Sequence, residues 1–179
     1  AMTAQVVSEP GLDAPLQDRF EHSFYYEYQP RFCGRNIDNF VSEHLTPEER
    51  AGAKVIAIEN SGGWFGLVRA MKARDCRADG TPMENDRNWQ HHVVLETGGQ
   101  IYDFDFGIKP RPLPVEHDFN EMYLTKDKNV KPADKLDGYL LKVVDAEEYT
   151  KGDISKVPQV KLQDYLSSWG ANLKTFTTT

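Results

Sequence analysis

His91-His92-Val93-Val94-Leu95-Glu96-Thr97-Gly98-Gly99-Gln100-Ile101-Tyr102-Asp103-Phe104-Asp105 is the stretch that decides the fold. Two β-prone runs flank a Gly-Gly break, the pattern of a tight antiparallel hairpin. Side chains alternate across a strand, so an even-length loop puts His92, Asp103 and Asp105 on one face. Two registers are open. Pairing Glu96 with Ile101 sets His92 opposite Asp105 and diagonal to Asp103, whereas pairing Leu95 with Gln100 sets it directly opposite Asp103. Opposed Cβ atoms lie about 5 Å apart, close enough for a carboxylate to hold an imidazole N–H, and a diagonal pair at about 7 Å is marginal. His91 points the other way, as a partly exposed strand residue.

Upstream of the hairpin, Val55-Ile56-Ala57-Ile58 is a short β-branched run. Asn60-Ser61-Gly62-Gly63 breaks it before a second, mostly apolar strand from Trp64 to Met71, and residues 73–89 read as a polar, charged loop. Ile37, Phe40, Val41, His44 and Leu45 are spaced by three and four, which places an amphipathic helix directly after Cys33-Gly34. Thr46-Pro47-Glu48-Glu49 then opens a short second helix with a capping box. Downstream, Pro110, Pro112 and Pro114 force an extended crossing, Glu116 to Tyr123 makes a helical turn or two, and Tyr139 to Val144 is a further strand. Leu162, Tyr165, Leu166 and Trp169 mark a last helix, stopped by Gly170. Helices first and mainly antiparallel strands after is the α+β class. The expected organisation is a loose lead-in over residues 1–16, one catalytic domain over 17–174 and a fraying tail over 175–179.

The chain has 179 residues, 39% hydrophobic and 27% charged, the composition of an ordinary globule with room for one core. Its net charge of −7 disfavours nucleic acid as a partner, and its apolar runs are far shorter than the ~20 residues of a bilayer span. Two cysteines make no disulfide scaffold, and Ala1-Met2-Thr3-Ala4-Gln5 has neither a basic nor an apolar leader segment. The expectation is a monomer in the cytoplasm, or in a host cytosol reached without a cleaved signal.

Cys33 falls at a helix N-terminus, where unpaired N–H groups and the macrodipole favour a thiolate and where the same groups can receive an oxyanion. With His92 and an aspartate of the hairpin it forms a nucleophile, base and orienting group. A zinc site on Cys33, His92 and Asp103, completed by His91, Asp105 or Cys76, is the competing reading. It lacks a C-x-x-C or H-x-x-x-H pair, so no metal or organic cofactor is expected. Trp89, three residues before His92, belongs near the cleft, and Trp64 is a pocket-wall candidate. His44 reads as a surface or helix-face residue.

Tyr28-x-x-x-x-Cys33-x-x-Asn36-Ile37, His92-Val93-Val94-Leu95 and Tyr102-Asp103-Phe104-Asp105 together resemble protein N-terminal glutamine amidohydrolase. The resemblance extends to Trp64, to Val143-Val144-Asp145-Ala146 before Tyr149, and to Leu162-x-Asp164-Tyr165-Leu166-Ser167. It implies a papain-like fold and hydrolysis of the side-chain amide of an N-terminal glutamine to glutamate and ammonia, on a protein or peptide substrate. The matching residues are Cys33 as nucleophile, His92 as base and Asp103 as its partner, hence the Leu95–Gln100 register, with Asp105 in support. The Tyr28 hydroxyl and Gln29 are the candidates for a second oxyanion donor. Gly34-Arg35 stand where the family has acidic residues. A carboxylate for the substrate's α-ammonium is therefore sought at Glu27, Asp38, Asp105, Glu84 or Asp86.

Two rivals follow from the same residues. One is an effector-type deamidase of an internal glutamine on a specific protein; the other is a catalytically silent domain that keeps the fold for binding. Transglutaminase-like acyl transfer and proteolysis are weaker readings.

Overall fold

Val55-Ile56-Ala57-Ile58 forms the middle of strand β1 (Lys54–Asn60), and all four side chains are buried. Val55 and Ala57 pack with Phe20, Phe24, Ile37 and Phe40, while Ile56 and Ile58 pack with Val68, Val94, Phe119 and Leu141. A strand covered on both faces shows a continuous apolar run in place of alternation. The computed structural model describes residues 8–61, 66–125, 127 and 130–177.

β1 sits inside a six-stranded sheet between β4 (His91–Thr97) and β7 (Tyr139–Asp145). β5 (Gln100–Tyr102) and β6 (Leu113–Pro114) extend it beyond β4, and β8 (Val160–Lys161) beyond β7; every neighbouring pair is antiparallel. Helices α1 (Leu16–Tyr26), α2 (Cys33–His44) and α3 (Pro47–Gly52) precede the sheet in the chain, and α1 and α2 cover one face. The other core takes side chains from α4 (Val115–Phe119), the π-helical turn Asn120–Leu124, α5 (Pro132–Gly138), α7 (Leu162–Ser168) and α8 (Lys174–Thr177). A short α6 (Ala146–Thr150) follows β7. The class is α+β. No helix among the described residues is long and apolar enough to cross a membrane.

α2 begins at Cys33, and α3 carries the expected capping box: the Glu49 N–H donates to Thr46 Oγ1 and the Thr46 N–H to Glu49 Oε1. One helix was not expected, and two expectations are corrected. α1 had no sequence signal because its buried face mixes Phe20 and Phe24 with Arg19 and Ser23. Arg19 is neutralised by a bidentate pair with Glu49, at 2.7 and 2.8 Å. Residues 73–89 are not a loop: β2 (Val68–Cys76) and β3 (Pro82–Trp89) form a separate two-stranded hairpin. Its residues from Arg74 onward are exposed or half-buried, so the chain gives no apolar alternation there. Phe176, placed by sequence in a fraying end, is buried in the second core.

Candidate active site

The Gly98-Gly99 turn has both glycines at positive φ, 61° and 78°, which a two-residue hairpin loop requires. The register it sets pairs Glu96 with Ile101 and Leu95 with Tyr102. That overturns the Leu95–Gln100 register. Asp103 nevertheless meets His92, because β5 ends at Tyr102 and the chain leaves the ladder before Asp103. Both Asp103 oxygens lie 3.0 Å from Nε2 of His92, and the Asp105 N–H donates to Asp103 Oδ1 at 2.8 Å. Asp105 Oδ2 stands 3.9 Å from Nδ1 of the same ring. The indole of Trp89 stacks on the imidazole at 4.3 Å and 11°.

His92 is fully buried, and Nδ1 has no hydrogen-bond partner among the described residues. Burial by itself lowers the basicity of the ring, but the Asp103 carboxylate, contact with the Cys33 thiol and the charge of Asp105 outweigh it. The imidazole is held well above its ordinary pKa. The nitrogen bound to Asp103 is fixed as a donor, which leaves Nδ1 for the sulfur.

Cys33 reaches this ring from the other core. It packs at the edge of the α1–α2 cluster, and Trp89 packs at the edge of the second. His92 is placed where the two meet. The approach to Cys33 is built by the turn Gln29-Pro30-Arg31-Phe32, closed by the Phe32 N–H on the Gln29 carbonyl at 3.3 Å. Proline at its second position and a left-handed third residue, Arg31 at φ 71°, follow the type II pattern. The Asn36 side chain clamps the turn, accepting from the Gln29 N–H and donating to the Gln29 carbonyl, both at 2.9 Å. This explains the Cys33-x-x-Asn36 spacing: one helical turn below the thiol, the carboxamide fixes the loop that leads into it. Gln29 acts through its backbone and does not line the cleft at Cys33. The Tyr28 hydroxyl donates to Asp105 Oδ1, which commits its proton away from an oxyanion.

That cleft encloses about 430 Å³ and is lined by Cys33, Asp105, Trp89 and His91 together with Arg31, Arg87, Asn88 and Gln90. Of the carboxylates considered for an α-ammonium, only Asp105 lines it. Glu27 binds His44 at 2.6 Å, so His44 is a buried, paired residue and not a surface one. Burial raises the pKa of Asp105, partly offset by His92 and by the Tyr28 hydroxyl.

The β2–β3 hairpin holds Asp105 in place. An irregularity between Ala70 and Ala73 frees β2 to pair with the loop after β5. There the Arg74 N–H donates to the Asp105 carbonyl at 2.7 Å, and the Gly107 N–H to the Lys72 carbonyl at 2.8 Å. The Arg74 guanidinium lies between the rings of Phe24 and Tyr28, 3.9 Å from each centroid, and Nη1 donates to the Phe24 carbonyl at 2.8 Å. Sequence reasoning missed Arg31, Arg74, Arg87 and Asn88 as parts of the site. The last three stand on the hairpin that reads as a loop.

Tyr149 approaches from α6, with its hydroxyl 3.4 Å from the Gly34 carbonyl. Its pKa is pushed up to about 12 by burial, Cys33 and Asp38. Trp64 lies outside the described residues. Cys76 is exposed, with its thiol donating to the Gly80 carbonyl at 3.1 Å. His92, Asp103 and Asp105 present ligand atoms within 4.8 Å of one another, as do Glu9, Glu27 and His44, so each group has the donors for a cation. In the first group the Asp103 carboxylate already occupies Nε2. Near this pair lies Asp118, fully buried, with neither carboxylate oxygen hydrogen-bonded among the described residues. Burial and the nearby charge of Asp103 raise its pKa well above the usual range. Compared with known proteins, the chain matches no family model, and no curated protein matches it significantly.

Proposed function

We propose that this protein is a cysteine-dependent amidohydrolase with a papain-like arrangement, which hydrolyses the side-chain amide of an N-terminal glutamine. The carrying observation is the buried His92 ring, bound through Nε2 to Asp103 and left with Nδ1 for the Cys33 thiol at the start of α2. His92 takes the thiol proton. The thiolate then attacks the glutamine Cδ, and the oxyanion meets the Cys33 N–H, which the helix leaves unpaired. His92 returns the proton to the departing nitrogen, releasing ammonia and leaving a γ-glutamyl thioester. Water, deprotonated by the neutral imidazole, attacks the thioester carbon; glutamate leaves and the thiol is restored. In this reading Asp105, a carboxylate that lines the cleft, receives the α-ammonium.

A second reading, deamidation of an internal glutamine on a folded protein, draws on the guanidinium-rich cleft wall and on the absence of an acid directly after Cys33. Mass spectrometry of Gln-led and internal-Gln peptides, run with an ammonia assay, separates the two. The first reading expects amide-to-acid conversion confined to Gln-led peptides and abolished in Cys33→Ala. Ammonia release that survives Cys33→Ala would remove the nucleophile assignment, and no release from any peptide would leave a silent binding domain.

A further inference from the structure

The charge around the cleft runs against the charge of the chain. The protein carries −7 overall, yet the cleft at Cys33 is walled by Arg31 and Arg87, and its lone carboxylate, Asp105, is buried and bonded by Tyr28. Neither arginine is in an ion pair among the described residues. Arg87 spends one nitrogen on the Arg74 carbonyl, at 3.3 Å, and Arg31 is exposed. A third guanidinium, Arg35, stacks on Phe32 at 5.2 Å within the first turns of α2.

Backbone conformation makes Arg31 the more telling of the two. Its φ of 71° is the left-handed position of the turn, where glycine is at no cost and a long side chain is disfavoured. An arginine there gives up local stability and gains a cation at the mouth of the cleft. Among the acids of the same hairpin, Asp75 lies near enough to feel Arg87 but accepts from the Cys76 N–H and the Asn85 side chain, the Asp86 charge is felt at Lys135, and Glu84 lies against Gly107.

We infer that the cleft selects glutamine flanked by acidic residues, with Arg31 and Arg87 receiving an aspartate or glutamate side chain of the same polypeptide. This rests on the deamidase reading for the identity of the glutamine, and on the cleft wall alone for the charge of its neighbours. Guanidinium groups pair with carboxylates in a bidentate manner, and at a half-exposed site they contribute more to discrimination than to total affinity.

The test measures binding and turnover separately. Fluorescent peptides Gln-Asp-Asp, Gln-Ala-Ala and Gln-Lys-Lys, each on a common neutral tail, are titrated into the Cys33→Ala protein, and ammonia release from the same peptides is followed with the unaltered protein. The acidic peptide is expected to bind about tenfold more tightly than the lysine peptide at low salt, with the ratio shrinking as salt rises. Arg31→Gly, which the turn accommodates, is expected to cut that ratio to about threefold without lowering the melting temperature. Equal binding of the three peptides overturns the inference, as does a ratio that Arg31→Gly leaves unchanged. Turnover without a binding preference removes the acidic specificity and keeps the deamidase. A binding preference without turnover does the reverse.

Discussion

Nε2 of His92 stands equidistant, at 3.0 Å, from the two carboxylate oxygens of Asp103, and both side chains are closed off from solvent. The carboxylate is the largest influence that raises the imidazole pKa against its burial. Asp103→Asn is therefore expected to lower that pKa, move the limb of the kcat/KM profile that His92 sets to lower pH, and reduce the rate by about 10²- to 10⁴-fold. The stability consequence has a definite sign. The folded value is raised, so the stabilisation is fully present below the unfolded value of about 6.5 and is lost as pH rises through the folded one. Urea unfolding across that range checks it. A profile whose limbs both stay in place in Asp103→Asn counts against the assignment.

The stacking of Trp89 on His92 supplies an optical readout. A protonated imidazole over the indole face is attracted to it and quenches its emission. Emission of the unaltered protein, minus that of Trp89→Phe, is expected to rise as His92 deprotonates, above the ordinary imidazole range. Trp89→Ala removes the platform and is expected to cost about tenfold or more in kcat/KM through lost orientation. A difference spectrum flat with pH would separate the indole from the titrating ring.

Gly34 follows the nucleophile because Tyr149 leaves no room for a side chain. A Cβ at position 34 would stand 2.8 Å from the Tyr149 hydroxyl. Gly34→Ala is expected to destabilise by about 1–2 kcal/mol, the crowding exceeding the roughly 1 kcal/mol that alanine gains over glycine in a helix. With the hydroxyl removed, in Tyr149→Phe, the same substitution is expected to be neutral or stabilising. Thermal melts of the four proteins form a double-mutant cycle, and additivity within about 0.3 kcal/mol would rule the contact out.

Asp118 offers a test of how the buried charges are shared. Two neighbouring carboxylates cannot both ionise cheaply in a core, and Asp103 has the imidazole while Asp118 has no hydrogen-bond partner among the described residues. Asp118 is accordingly expected to be the one that holds its proton. Its folded pKa is raised, so the unfolded state releases its proton first and the fold loses stability as pH rises between the unfolded and folded values. Asp118→Asn removes that loss. Its stability relative to the unaltered protein is expected to grow by up to about 1.4 kcal/mol per pH unit from pH 5 upward until the folded pKa is passed. Parallel denaturation curves at pH 5 and pH 8 decide the matter, and a constant difference would mean that Asp118 is ionised in the fold.

What could be read from the chain was what repeats or caps. The α2 face with Cys33 at its start, the Thr46–Glu49 box and the Gly98-Gly99 hairpin are each marked by local spacing, whereas the choice of Asp103 for His92 came from the family resemblance. The β2–β3 hairpin was not, because most of its side chains are polar and its turn is exposed. α1 escaped notice for a different reason: a buried arginine breaks its apolar stripe, and the glutamate that satisfies it is 30 residues away. The strand register failed instructively. Pairing parity fixed the faces, but where β5 ends decides which aspartate reaches the imidazole, and no single residue announces that end.

The two strands of the outer hairpin divide their labour. β2 is tied by main-chain hydrogen bonds to the segment carrying Asp105, and β3 contributes side chains, Arg87, Asn88 and Trp89, to the wall. Changes at Arg87 and Asn88 leave those ties intact. A lineage can therefore retune which polypeptide is admitted while inheriting the sulfur, the imidazole and their carboxylate unaltered.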